Sequence, residues 1–503
     1  MLESTVKKIL NAAVYGAAKA TPLDEAASLS KKLDNRVMIK REDLQSVFSF
    51  KLRGAFNKMQ QLTDEQKKKG VICASAGNHA QGIAESGRIL DVKTTIVMPK
   101  TTPAIKVKSV RDRGGKVILH GDAYDEAFEY SQILMKQEDL TFIHPFDDID
   151  VIAGQGTVAR EILQEVFDPI EAIFIPVGGG GLCAGMAAYI KYLRPEIKII
   201  AVEYEESACL KAALDAGKRV ILEKVGIFAD GVAVAQIGKE PFSILKDHVD
   251  AVITINAAEI CAAIKDIFDD TRSVAEPAGA LGVAGLKKYV YEHNIRDRNL
   301  IAICSGANMN FDRLRYVAEQ ANIGEQTEVL LAVTIDEKAG SFKKFCSVVG
   351  TRTITEFNYR YDDPANAQIF VGVQVSGQED GLAVISELVE NDYQVEDLTQ
   401  NPMATNHIRH MVGGRAGGVT DEKIYRFEFP ERPKALFNFL KQLGFNWNIS
   451  LFHYRNNGAA SGRVLVGIQI PQNELKEFET LLSEIGYQYW NESNNPAYKL
   501  FLA

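Results

Sequence analysis

The chain has little that would assign it to a special environment. No stretch reaches the roughly 18 uncharged apolar residues a bilayer-spanning helix needs, so no membrane span is expected. The six cysteines (Cys73, Cys183, Cys209, Cys261, Cys304, Cys346) form no CxxC pair, and most lie in apolar runs. That pattern reads as buried reduced thiols of a cytoplasmic protein, not a disulfide frame or zinc site. The eight histidines form no HExxH and no cluster, so no metal is expected. Excess positive charge is missing too: a net charge of −9 repels phosphate backbones and argues against a nucleic-acid partner.

What is there is ordinary for a globular protein. At 503 residues, 46% hydrophobic and 24% charged, the chain is no disordered polymer and has room for two or three domains. Lys7-Lys8 ahead of Ile9–Ala18 imitate a short secretory segment, but the simpler reading is an amphipathic first helix ending near Thr21-Pro22. From Arg36 to Cys304 short β-branched runs (Val37–Ile39, Val71–Ala74, Thr94–Met98, Val117–Leu119, Ile173–Val177, Ile197–Val202, Val252–Thr254, Leu300–Cys304) alternate with helical periods. Phe50–Leu62, Asn78–Leu90, Tyr124–Lys136, Val151–Val166 and Cys183–Leu193 are examples. This α/β alternation predicts a mostly parallel sheet covered on both faces, with ligands held by loops at the strand C-termini.

The pattern changes after the polar stretch Glu319–Gln326. Val329–Ile335, Ser341–Val349, Ile354–Tyr361, Gln368–Val375, Leu382–Glu390 and a strand near Gln394 spell the βαββαβ order of a ferredoxin-like module. Ile424–Phe429, Lys434–Leu443, Ile449–Tyr454, Val464–Ile470 and Glu474–Glu484 repeat it. Phe342/Phe437, Ile354/Ile449, Phe357/Phe452, Tyr359-Arg360/Tyr454-Arg455 and Val371–Gln374/Val466–Gln469 all differ by 95, which indicates a tandem duplication. The domains expected are 1–320, 327–398 and 423–495. Gly413–Gly418 between the copies lacks a preceding strand and a following Lys-Ser/Thr, and reads as a connector rather than a phosphate loop.

Three loops of the first domain carry chemistry. Lys51, in Ser49-Phe50-Lys51-Leu52-Arg53-Gly54-Ala55, opens a helix whose positive end lowers an amine's pKa, as a Schiff-base lysine requires; by themselves, however, Lys51 and Arg53 read more readily as snorkelling surface residues. Ser75-Ala76-Gly77-Asn78-His79 turns backbone N–H groups outward at another helix start, either as a carboxylate pocket or as a plain N-cap turn. His79 reads as a structural hydrogen-bonder. Gly178-Gly179-Gly180-Gly181-Leu182 suits a phosphate group, but Gly179, Gly181, Ala184 and the later Glu203 also satisfy a dinucleotide fingerprint, and the motif alone does not choose.

Taken in order and spacing, these three loops and Cys304-Ser305-Gly306-Ala307-Asn308 resemble the fold-type II enzymes dependent on pyridoxal phosphate (PLP). More closely they resemble biosynthetic threonine deaminase (threonine ammonia-lyase), and the duplicated unit resembles that family's ACT-like regulatory pair. The resemblance implies a two-lobed catalytic domain of mostly parallel sheets followed by two α+β subdomains. It decides the tetraglycine loop in favour of phosphate.

By the same resemblance, Lys51 forms the internal aldimine and removes the Cα proton, Phe50 packs on the pyridine ring and Asn78 bonds its 3′-oxygen. Gly178, Gly179, Gly180, Gly181 and Leu182 hold the phosphate, and Ser305 faces the ring nitrogen. Ser75, Ala76, Gly77, Asn78 and His79 take the substrate carboxylate. Glu276 reads either as an auxiliary acid/base or as a helix N-terminal carboxylate. Serine racemases carry a hydroxyl residue where this chain has Ala76, so dehydration is expected rather than racemisation. The implied substrate is L-threonine, with L-serine possible; the implied effectors are isoleucine as inhibitor and valine opposing it, bound within residues 327–503 of a homotetramer. A degradative serine/threonine dehydratase, a regulatory protein with an inactive first domain and a nicotinamide oxidoreductase are the alternatives.

Overall fold

A computed structural model describes residues 2–502 except 363–364, 407, 415, 431–434, 444–446, 456–460 and 486. The chain divides into two units, Met1–Ala321 and Asn322–Ala503. No helix among the described residues is long and apolar enough to cross a membrane. All six cysteines are buried and unpaired.

In the first unit the strands are β1 (Leu23–Glu25), β2 (Arg36–Arg41), β3 (Val71–Ala74), β4 (Thr94–Met98), β5 (Lys116–Leu119), β6 (Thr141–Phe142), β7 (Ala172–Pro176), β8 (Lys198–Tyr204), β9 (Ala251–Ile255) and β10 (Asn299–Cys304). The alternation that reads as one sheet is shared between two. One has the order β1-β2-β10-β7-β8-β9, parallel except for β1; the other, β5-β4-β3-β6, is parallel throughout. Every residue of β3, β4 and β7 is buried, because helices cover both faces and leave no solvent side for alternation to mark.

One expectation fails here. The first helix is Leu2–Leu10 and ends about a dozen residues before Pro22: Ala13 gives its N–H to the Asn57 side chain (3.1 Å) instead of a helical carbonyl, and a 3₁₀ turn, Val14–Gly16, follows. The polar stretch that begins at Glu319 forms the last turns of helix Leu314–Gly324, which is followed by Gln326 in the left-handed region (φ 56°).

The second unit contains β11 (Glu328–Asp336), β12 (Ile354–Arg360), β13 (Asn366–Gln374), β14 (Gln394–Asp397), β15 (Glu422–Pro430), β16 (Asn448–Arg455), β17 (Ser461–Gln469) and β18 (Gln488–Asn491). They form one antiparallel sheet, β14-β11-β13-β12-β16-β17-β15-β18, with two βαββαβ repeats side by side. The central β12–β16 register pairs Phe357 with Tyr454 and Tyr359 with Phe452, and each pair becomes the other on adding 95. The repeats are therefore related by a pseudo-twofold through Asn358 and His453.

The constant offset holds only for this central hairpin. Strands β11/β15 and β14/β18 and helices Ser341–Val349/Ala435–Leu443 are offset by 94. Phe345 against Tyr393 (5.9 Å) matches Phe439 against Tyr487 (6.2 Å), so the equivalent of Phe345 is Phe439, and Phe342/Phe437 is not an equivalent pair. Lys434, expected to start the second of those helices, and Arg415 of the glycine-rich connector lie outside the described residues.

Candidate active site

The loops that carry chemistry leave the C-terminal ends of β2, β3, β7 and β10, where parallel strands direct them to one side. After β2 the chain reaches Phe48, held at φ 56°, and then Ser49, which bridges Gly306. Phe50 N–H donates to the Ser305 carbonyl (3.2 Å) and Ala307 N–H to the Phe48 carbonyl (2.9 Å), so the loop after β10 grips the lysine loop.

Helix Lys51–Gln60 begins at Lys51 itself. The half-buried Lys51 amine donates to the Pro145 carbonyl (3.1 Å), and no carboxylate lies within ion-pair distance among the described residues. Burial lowers its pKa from the usual 10.5 to about 8, with the Glu276 charge pulling the other way. The contrast is Lys40, fully buried but paired with Glu161 at 2.8 Å.

Arg53, two residues along, is not a surface residue. It is fully buried between Glu42 (Nε–Oε2 and Nη2–Oε1, both 2.7 Å) and Glu161 (2.6 and 2.9 Å). Two charges of each sign (Lys40, Arg53, Glu42, Glu161) thus cancel inside the protein and hold the helix that presents Lys51.

The tetraglycine loop follows β7 and opens helix Gly181–Leu193. Side chains would not fit there. A Cβ on Gly178 would meet the Val232 backbone at 2.8 Å, one on Gly179 the Phe146 ring at 2.2 Å, and Gly180 has φ 90°. Among the described residues the N–H groups of Gly178, Gly179 and Gly180 donate to no protein acceptor, and Gly181 and Leu182 lie in a first helical turn whose N–H groups are orphaned by geometry. Five convergent donors at a positive helix end fit a phosphate.

Glu203 is not placed for a ribose. Its carboxyl, pushed up to about 7 by burial, accepts from Leu210 and Lys211 N–H (2.8 Å each) and caps helix Cys209–Asp215.

The Ser75–His79 loop opens helix Asn78–Leu90. Here Ser75 N–H bonds the Val97 carbonyl (3.1 Å) and Gly77 N–H the Ser75 hydroxyl (3.2 Å), leaving the N–H groups of Ala76, Asn78 and His79 outward. His79 Nε2–H donates to the Ile143 carbonyl (3.0 Å), and burial with the Lys51 charge pushes its pKa down to about 3, so it is a neutral structural group. Asn78 Nδ2 donates to Glu276 Oε1 (2.5 Å) and Asn78 Oδ1 accepts from Asn308 (2.6 Å). Burial and the neighbouring Asp230 charge raise Glu276 to about 7, against the hydrogen bond from Asn78. The buried Ser305 hydroxyl donates to the Ala278 carbonyl (3.3 Å). An amine without a counter-ion, a loop of amides that have no protein acceptor, a side-chain amide and a neutral hydroxyl form a donor set suited to PLP.

The comparisons with known proteins agree with that donor set. The family model "Pyridoxal-phosphate dependent enzyme" matches residues 14–306, and "C-terminal regulatory domain of Threonine dehydratase" matches 319–408 and 413–502. The biosynthetic L-threonine dehydratase of Burkholderia multivorans is 52% identical over 99% of both chains, and that of Escherichia coli 54% identical over 99% of this chain and 97% of its own. The chain belongs to the biosynthetic threonine dehydratase family. Among solved structures, the processed threonine deaminase isoform 2 of Solanum lycopersicum has 46% identity and a TM-score of 0.63, over 64% of this chain and 93% of that one. Maize serine racemase has 30% identity and a TM-score of 0.58, over 61% and 95%.

Set within this dehydratase family, the geometry also shows what the motifs missed. Pro145 and Phe146 face Lys51 and the tetraglycine loop from the segment after β6, and Val232 closes on Gly178 from the turn Asp230–Val232. The run His144-Pro145-Phe146-Asp147-Asp148 was the available signal, since an aromatic and a proline interrupt an otherwise polar loop.

Proposed function

We propose that this chain converts L-threonine to 2-oxobutanoate and ammonia using PLP, as the first committed step toward isoleucine, and that Lys51 is the residue to which the cofactor is attached. When bound, the cofactor supplies an electron-withdrawing ring that acidifies the substrate Cα–H. Lys51 is the base for that proton: at a pKa of about 8 a useful share of its amine is neutral near pH 7. The outward amides of the Ser75–His79 loop orient the substrate carboxylate, the glycine loop takes the phosphate, and Phe50 flanks the ring. Ser305 offers the ring nitrogen a neutral hydroxyl rather than an acid, which favours loss of the β-hydroxyl over transamination.

The observation that carries this reading is the Lys51 amine, desolvated and without a counter-ion beside two amide-lined loops. Lys51→Ala tests it. The variant should lose turnover and the visible cofactor band while keeping its far-UV circular dichroism; turnover near wild type refutes the assignment.

The regulatory match supports control by amino acids, and we place isoleucine, opposed by valine, in the second unit. A cleft there is lined by Glu337, Lys343, Leu440, Trp447 and Ile449. It offers an apolar wall for a branched side chain beside the Glu337 carboxylate, which accepts from the Tyr359 hydroxyl and the Asn448 amide. A cytoplasmic homotetramer completes the proposal.

A further inference from the structure

The amide of Asn78 belongs to a hydrogen-bonded chain whose direction is decided at one end. Asn308 Nδ2 lies 2.8 Å from the backbone carbonyl of Val47 and 2.6 Å from Asn78 Oδ1. A backbone carbonyl only accepts, so the Asn308 atom facing it is the NH₂ group. The second hydrogen of that group points at Asn78, whose facing atom must then be the carbonyl oxygen. Asn78 Nδ2 is thereby turned toward Glu276 Oε1, 2.5 Å away.

The place of Glu276 is built into the fold. It precedes helix Pro277–His293, is 4% exposed, and gives its own N–H to the Gly306 carbonyl (3.1 Å). A Cβ on Gly306 would come within 2.4 Å of Oε1, so only glycine leaves room for the carboxyl. The carboxyl accepts from Asn78 in either protonation state, because the carbonyl oxygen of the acid form accepts as well. One N–H of Asn78 goes to Glu276; the other has no protein partner among the described residues.

We propose that Glu276 and Asn308 are positioning residues that lock the Asn78 amide with its remaining N–H available to the 3′-oxygen of PLP. This rests on the reading above that Asn78 meets that oxygen. An unconstrained asparagine turns its amide over at little cost, and the reversed amide would present lone pairs to an electron-rich oxygen. The chain anchored at Val47 excludes that orientation.

The test uses full-length protein stripped of cofactor, retitrated with PLP, and the pH midpoint of the visible absorbance of the refilled enzyme. Asn308→Asp accepts but cannot donate, so it reverses the chain; it should weaken PLP binding roughly tenfold or more and move the absorbance midpoint. Asn308→Ala leaves the amide free to turn and should lie between it and wild type. The Glu276 pair guards against simple misfolding: Glu276→Gln still offers an oxygen to Asn78 Nδ2 and should bind PLP within about twofold of wild type, while Glu276→Leu should lose roughly tenfold. Wild-type affinity and midpoint in Asn308→Asp, or identical behaviour of the two Glu276 variants, overturns the proposal. A Lys51→Ala protein that keeps the visible band would instead overturn the functional reading beneath it.

Discussion

Replacing Arg53 with methionine removes one charge from a buried set of four. In the native protein Arg53 makes four short contacts to Glu42 and Glu161 and two longer ones, to Thr157 (3.1 Å) and the Lys19 carbonyl (3.3 Å). Without it Lys40 still pairs with Glu161, but Glu42 keeps no cation within ion-pair distance among the described residues. Thr21 and Gln45 still donate to Glu42, and Tyr15 to Glu161, but these are neutral hydrogen bonds. Breaking a buried ion pair by removing one partner costs about 3–5 kcal/mol, a large part of the 5–15 kcal/mol that stabilises a typical domain.

The loss should depend on pH, and its sign follows from the carboxylates. In the native protein burial pushes Glu161 up, but Arg53 and Lys40 overcome it and hold its pKa below the usual value; the folded state binds fewer protons there, and stability is lost as pH falls through that depressed pKa. In Arg53→Met, Glu161 loses the charge that most opposes its burial, so its folded pKa rises relative to the native protein and less stability is lost on the acid side. The gap between variant and wild type should narrow as the pH falls, by up to about 1.4 kcal/mol per pH unit. Urea unfolding followed by far-UV circular dichroism measures this; tryptophan fluorescence does not, because Trp447 and Trp490 both lie in the second unit. A gap below about 1 kcal/mol, or one constant from about pH 5 to pH 8, would show that Lys40 suffices and that the cluster argument is wrong.

Three further outcomes are expected. Cofactor-free protein should take up PLP at a rate that rises with pH and levels off above about pH 8, where the Lys51 amine is mostly neutral; a rise continuing toward pH 10 would mean an ordinary lysine. Gly179→Ala, whose Cβ would lie 2.2 Å from the Phe146 ring, should retain PLP at least tenfold less well, while Gly77→Ala, with nothing within 4 Å, should fold with wild-type stability; equal PLP retention by the Gly179 variant would remove that loop from the phosphate site. Ser305→Asp should protonate the ring nitrogen and shift product partition toward side reactions such as transamination; unchanged products would mean that Ser305 does not face that nitrogen.

Much of the first unit can be read from the chain because strand–loop–helix order is local. Lys51, the Ser75–His79 loop and the tetraglycine loop each stand where a strand gives way to a helix. The number of sheets is not local: it depends on β6 pairing with β3, and a two-residue strand has no periodicity to show. Arg53 illustrates a different limit. A charged residue in a helix reads as solvated, and its burial becomes visible only once Glu161, 108 positions away, is seen to face it. Asn308 stood in a quoted motif without a role, because its partners Val47 and Asn78 are 261 and 230 residues distant. The repeat was legible from identities in its hairpin, but those identities hid a one-residue slip in the flanking helices and strands, which only side-chain partners such as Phe345–Tyr393 and Phe439–Tyr487 reveal.

The back-to-back pairing of β12 with β16 also bears on solubility. Each repeat by itself would present a seven- or eight-residue strand with free hydrogen-bonding groups along one edge, a template for any other extended chain. Joining the two edges through the pseudo-twofold consumes both templates at once. The sheet then terminates in β14 and β18, only four residues each, with Glu396 and Asp397 exposed on one and Gln488 and Tyr489 on the other. Fusion of the two copies into one polypeptide makes that protection independent of concentration, so a newly made second unit need not find a partner chain before its stickiest edges are covered.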